Sequence, residues 1–433
     1  MTAEPTQDAV PQHLVVRTVA VDHPGDLLDL LPATAPLAWV RRGDGVVGWG
    51  EALRITVSGV DRFADAERAW HQVLRHAVVR DEVGLPGTGP IAFGSFAFDW
   101  HAPEPTAGGL VVPRVVVGRR GGTTWLTTIE TGATIGAAPT LARVAGGREP
   151  VLAPGEVVYA DGAVPADGWR DVVARAVGAI RAGRVDKVVL ARDVEARTAE
   201  PVDPRWVLGR LADAYPTCWT FSVDGLLGAT PELLVRSDRG LVTSRVLAGT
   251  IRRTGDDDAD LARAATLAHS SKDLEEHEYA VRSVADALAP FCSSTNVPDV
   301  PFVLHLPNVL HLASDVTGVL RGSGAVTPSS LTLAGALHPT AAVCGTPTMA
   351  ARELITEIEG MDRGRYAGPV GWVGADGDGE WGIALRSAEL GPADPHRLRL
   401  FAGCGIVAAS DPAAELAESE AKLEPMRYAL GSD

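Results

Sequence analysis

Short valine-rich runs broken by glycine and proline constrain this chain most. LVVPRVVVGRR and TTWLTTIE, both in the first half, read as strands joined by turns. The organisation changes near Val164. Beyond it Trp169, Val172, Val173, Ala176, Val177 and Ile180 recur at the helical period and Gly183 supplies a stop, which predicts a helix. RVDKVVLAR then reads as a strand, and further strands are expected in CWTFSVDGLLGA, GLVTSRVLAG and RLRLFAGCGIV. GPVGWVGADGDGEWGIALRSAEL has the pattern of a hairpin around a Gly and Asp turn. With 433 residues, 46% of them hydrophobic, the chain can bury one large core or form two domains. A mobile N-terminal tail of roughly ten residues is expected.

A formal charge of −16 argues against a nucleic-acid or anionic-membrane partner. It leaves room for an anionic substrate, because a metal ion or an arginine reverses the field locally. The four cysteines, Cys218, Cys292, Cys344 and Cys404, contain no C-x-x-C pair and read as small buried residues in a reducing compartment. The N-terminus lacks the basic start and apolar run of a leader, and no stretch is long enough to span a membrane, so a cytoplasmic protein is expected.

Two segments compatible with helices, SSKDLEEHEYAV and DPAAELAESEAKLEPM, each carry a carboxylate pair three residues apart. That spacing sets Asp273 with Glu276, and Glu415 with Glu418, on one face of each helix. Two such faces meeting in a cleft would repel unless a hard cation such as Mg²⁺ lay between them. Taken singly, each reads as a solvated helix surface, since charged helix faces are common and metal sites rare. Asp411 and Pro412 form a good cap and first turn for the second helix. Glu420 and Glu424 fall on another of its faces and are expected to be spectators.

Three polar residues interrupt apolar surroundings. Lys187 lies within the run from Val185 to Leu190, where an ammonium group is costly unless paired, used, or able to reach solvent from an edge strand. Glu232 in GATPELLVR is either an acid or a salt-bridged structural residue. Arg386, after GIAL, can clamp a carboxylate in a bidentate fork or simply pair with a nearby acid. The glycines of AGCGI allow close approach of a ligand oxygen, or mark a tight strand bend.

In order, DKVVLAR, GATPELLVR, SRVLAGTIRR, SSKDLEEH, LHPTAAVCGTP, GRYAGPVGW, ALRSAEL, AGCGIV and AESEAKL resemble the motifs of the chorismate-utilising enzymes, and most closely those of the isochorismate synthases. The match covers roughly residues 165 to 430. It implies an α+β fold of two large packed antiparallel sheets with peripheral helices, like anthranilate synthase component I. Residues 1–150 would be a variable N-terminal part of the same unit, and residues 151–433 the chorismate-binding catalytic region. The activity implied is Mg²⁺-dependent conversion of chorismate to isochorismate, with water adding at C2 as the C4 hydroxyl leaves.

By the same resemblance Lys187 matches the base and Glu232 the acid. Glu276 and Glu418 match direct Mg²⁺ ligands, with Asp273 and Glu415 acting through water. Tyr366, Arg386 and Gly403 match groups that hold the enolpyruvyl carboxylate, Lys422 reaches a carboxylate or pairs with Glu418, and His338 and Thr340 join the substrate contacts. Relatives that use ammonia carry a P-A-G-T-like or P-G-G-S-like stretch followed by G-A-P-K. Here Leu337, His338, Pro339 and Thr340 precede Gly345, Thr346 and Pro347, and Thr348 stands where the lysine would be. That departure favours water and no amidotransferase partner, and such relatives are often monomers. Salicylate synthase, which eliminates pyruvate from isochorismate in the same pocket, is an alternative, as is a non-catalytic chorismate-binding protein.

Overall fold

Strand pairing carries the chain from one half to the other. The computed structural model describes residues 13–102, 107–132, 136–144, 149–322 and 327–431, but not the side chains of Lys272 and Glu276. The expected N-terminal tail lies outside these residues. Among them, 21 strands form one hydrogen-bonded network. Every pairing is antiparallel except that of Leu14–Ala20 with Val78–Asp81. Ile91–Phe96 pairs with Pro369–Gly374, and Leu37–Arg41 with Trp219–Val223, so first-half strands are built into the sheet of the second half. Trp39, Phe93 and Phe96 share one core cluster with Trp381 and with the buried face of the helix Ala166–Arg181.

The predicted helical period is realised in Ala166–Arg181, where Trp169, Val172, Val173, Ala176, Val177 and Ile180 are the buried residues. Gly183, at φ 76°, follows its C-terminal end. Trp169 also donates its indole N–H to the Ala191 carbonyl at 2.9 Å, which ties the helix to the strand Lys187–Thr198. That strand runs antiparallel to Arg397–Ile406. The hairpin predicted around Gly and Asp forms between Pro369–Gly374 and Gly379–Ile383. All four cysteines are free and buried. Among the described residues no helix is long and apolar enough to cross a membrane.

Two features aim helices at one end of this sheet. Leu241–Arg252 pairs with Val309–Leu320, and their register shifts between Ala248 and Thr250, a bulge of the kind that bends a strand and re-aims its side chains. Gly249, at φ 80°, sits in the bulge, and a Cβ there would lie 3.1 Å from the Asp273 Cβ. Glycine therefore lets the helix Ser271–Leu288 bring its first turn against the strand, where the Ser270 hydroxyl accepts the Asp273 N–H. The helix Pro412–Ala429 begins as its sequence predicts, with the Asp411 carboxylate accepting the N–H groups of Ala413 and Ala414.

Candidate active site

Both helices and four strands converge on one cleft. Val189 and Ala191 line it from the strand Lys187–Thr198, and the period of two puts Lys187 on their face. Lys187 is buried, 2% exposed, so the edge-strand alternative for it does not hold. Opposite the strand, Glu232 follows Pro231 in the turn between Leu226–Thr230 and Leu233–Asp238. The Thr230 hydroxyl accepts its backbone N–H at 3.2 Å, and its own carbonyl accepts the Ile383 N–H.

Burial governs the Glu232 carboxyl. It pushes the group up to about 8, against the opposing pull of Lys187, Arg386 and Lys422. At neutral pH the Glu232 carboxyl therefore keeps its proton. An essential acid of this kind predicts that kcat/KM falls as pH rises through about 8. A pH–rate profile that stays flat through that range would contradict the assignment.

The carboxylates gather on the other side. Asp273, Glu415 and Glu418 all line the cleft. The Cys404 sulfur and one oxygen from each of Glu415 and Glu418 lie within 4.8 Å of one another, close enough to share an ion. Burial raises the Cys404 thiol well above its ordinary range, and it donates to the Glu415 carbonyl at 3.3 Å, which leaves oxygen as the donor type here. The side chain of Glu276 lies outside the described residues. Lys422 donates to Glu418 at 2.6 Å and to the Gly403 carbonyl at 2.8 Å. Burial lowers the Lys422 ammonium, but Glu418 more than offsets this and holds it above the usual lysine range.

Tyr366, Arg386 and Gly403 meet on the same wall. The Tyr366 ring stacks on Phe401 with centroids 5.0 Å apart and planes 9° from parallel. Burial pushes its phenol up to about 12, so the hydroxyl stays a donor at neutral pH. A Cβ at position 403 would lie 3.1 Å from the Tyr366 hydroxyl and 3.0 Å from the Leu190 carbonyl, so glycine leaves that approach open. Neither His338 nor Thr340, expected among the substrate contacts, is among the residues that line the cleft. His338 is bonded through Nε2 to the Phe98 carbonyl at 3.0 Å and packs between Phe63 and Phe98. Their segment reaches the cleft through Ala342 and Val343 instead.

Three cleft residues escaped the sequence reading. His311 and Thr250 face each other across the bulged strand pair, 3.0 Å apart through Nδ1 and Oγ1. Arg363 is buried against Glu359 and donates to the carbonyls of Val343 and Val189, while Glu359 accepts the Ala191 N–H. This pair ties three parts of the cleft wall together. The spectator role expected of Glu420 also needs correction. It pairs with Arg192, whose side chain is only 3% exposed, and with Arg427. Glu420→Gln is therefore expected to lower stability by about 2 kcal/mol while leaving kcat near wild type. Chemical denaturation alongside a rate assay checks both. Among the described residues Glu424 pairs with the exposed Arg252 and is the quieter position.

With this geometry in view, comparison with known proteins is decisive. The profile of the family described as chorismate binding enzyme matches residues 38–431. The chain belongs to this family. It is 36% identical over 419 residues to the salicylate biosynthesis isochorismate synthase of Pseudomonas aeruginosa, spanning 92% of this chain and 85% of that one. It is 41% identical over 278 residues to the isochorismate synthase DhbC of Bacillus subtilis, spanning 62% and 68%. Among solved structures, the menaquinone-specific isochorismate synthase MenF of Escherichia coli superposes with a TM-score of 0.77 at 26% identity, covering 98% of this chain and 96% of that one. Anthranilate synthase component I of Streptococcus pneumoniae shares the fold, with a TM-score of 0.68 at 20% identity and 98% and 94% coverage. The α+β class expected from the family is the class observed.

Proposed function

We propose that this family member is an isochorismate synthase, converting chorismate to isochorismate. The observation that carries the chemistry is the buried pair of opposite function in one cleft: Glu232, held protonated, and Lys187, set into an apolar strand. Lys187 takes a proton from a water molecule as its oxygen bonds to C2. The double bonds of the ring shift, the bond from C4 to its hydroxyl breaks, and Glu232 delivers the proton that lets this hydroxyl leave as water. One water enters and one departs. Tyr366 and Arg386 are donors suited to the enolpyruvyl carboxylate.

The oxygen-rich donor set of Glu418, Glu415 and Asp273 fits a hard divalent cation, and Mg²⁺ is the proposed cofactor. When bound, such an ion supplies the charge that neutralises the ring carboxylate. Lys422 already offsets Glu418 from the strand side, and it steadies the helix against Gly403. No amidotransferase partner is proposed, and the chain is read as a monomer.

Incubation with chorismate and Mg²⁺ followed by chromatography tests the reading. Isochorismate is the expected product. Salicylate with pyruvate, or unchanged chorismate, would overturn it. With an ammonium salt present, no anthranilate or aminodeoxychorismate is expected, because HPTAAVCGTP departs from the ammonia users. An aminated product in the same chromatogram would remove water from its assigned role.

A further inference from the structure

His311 is a buried histidine on the cleft wall that the proposed acid and base steps leave unused. It lies on Val309–Leu320, opposite Thr250 and beside the bulge at Gly249. Its Nε2 is 3.1 Å from Arg386 Nη2. A guanidinium can only donate, so this nitrogen carries the lone pair and the ring proton resides on Nδ1. Thr250 Oγ1, 3.0 Å from Nδ1, then accepts. The polarity of the whole contact is thereby fixed from Arg386 through His311 to Thr250.

Arg386 shows why such a fixture matters. Its backbone sits in the left-handed region at φ 49°, and its Nε is buried with no partner among the described residues. One edge of the guanidinium is thus anchored while another donor is left for a ligand oxygen in the cleft. Burial, Arg386 and Lys422 together drive the His311 ring well below the ordinary histidine range, so it remains a neutral acceptor. The neutral ring keeps only its Nδ1 proton, which faces Thr250, so it is not placed to serve as an acid. Its acceptor lone pair is already engaged by Arg386, so it is not placed to act as a base.

We infer that His311 is a positioning residue, which holds the Arg386 guanidinium so that its free donor meets the substrate carboxylate. This rests on the reading of the cleft as a chorismate site. It goes further by assigning a carboxylate-orienting task to a side chain that does no chemistry.

The test is a double-mutant cycle read by steady-state kinetics and by calorimetric titration with chorismate. His311→Leu should raise KM about tenfold and leave kcat within about threefold of wild type, the loss expected when a charged group loses a hydrogen bond. His311→Gln, whose amide oxygen can accept from Arg386, should recover most of the affinity. Adding His311→Leu to Arg386→Ala should weaken binding no further, because the first change acts through the second residue. The pH profile of kcat should not move. Should the leucine variant misfold, His311→Asn makes the same comparison, keeping polarity but falling short of Arg386. A fall in kcat of about a hundredfold at unchanged KM, a lost limb of the pH profile, or additive losses in the double variant would each overturn the inference. Calorimetry reads the coupling even in a protein that fails to turn chorismate over. Failure of the catalytic reading and failure of this inference are therefore separate results.

Discussion

Lys187→Ala is expected to lower isochorismate formation on the order of a hundredfold to ten-thousandfold while chorismate still binds. The proposed base is removed, but Tyr366 and Arg386, the proposed carboxylate donors, stay on the cleft wall. Glu232→Gln should behave alike, since an amide of the same shape cannot protonate a leaving hydroxyl. On the proposed path the two groups act together, so the double variant should be scarcely slower than either single one. Rate assays with calorimetric titration of each variant check this. A Lys187→Ala protein that turns over near the wild-type rate would make Lys187 a structural residue and place the base elsewhere.

Glu418→Gln is expected to lower turnover on the order of a hundredfold, with only partial rescue as Mg²⁺ is raised. The fold should persist, because Lys422 keeps its bond to the Gly403 carbonyl. Glu424→Gln is the appropriate comparison, since its partner Arg252 is exposed. Equal losses at the two positions would contradict the proposed role of the Glu418 face. Glu420 cannot serve as the reference, because Arg192 beneath it is buried.

What the sequence revealed, and what it hid, follows the range of the interactions involved. The helix Ala166–Arg181 was legible because its apolar period is local, and the start of Pro412–Ala429 because Asp411 caps its own neighbours. Lys187 stood out as a charge in an apolar strand, and its burial gives that anomaly physical meaning. Glu415 and Glu418 were placed on one face by spacing alone, and that face does meet the cleft.

Interactions between distant segments were not legible. His311 lies 75 residues from Arg386 and 61 from Thr250, and in sequence it is only a histidine among leucines. Glu420 was placed correctly in helical phase, yet its partner Arg192 lies 228 residues away on a strand. The stretch containing His338 and Thr340 belongs to the site, but it enters through Ala342 and Val343, which carry no chemical signal. The strands of the first half were recognisable from their valines. Their pairing with strands such as Pro369–Gly374 joins residues far apart in the chain.

The central claim is that a solvent water, activated at Lys187, becomes the C2 hydroxyl of the product. Turnover of chorismate in water enriched in oxygen-18, with the product analysed by mass spectrometry, tests it most directly. The account predicts isochorismate carrying one solvent oxygen, located at C2, in every molecule formed. Isochorismate free of label would mean that the C4 hydroxyl is transferred within the substrate, and it would contradict the assignment of Lys187 as the base for water.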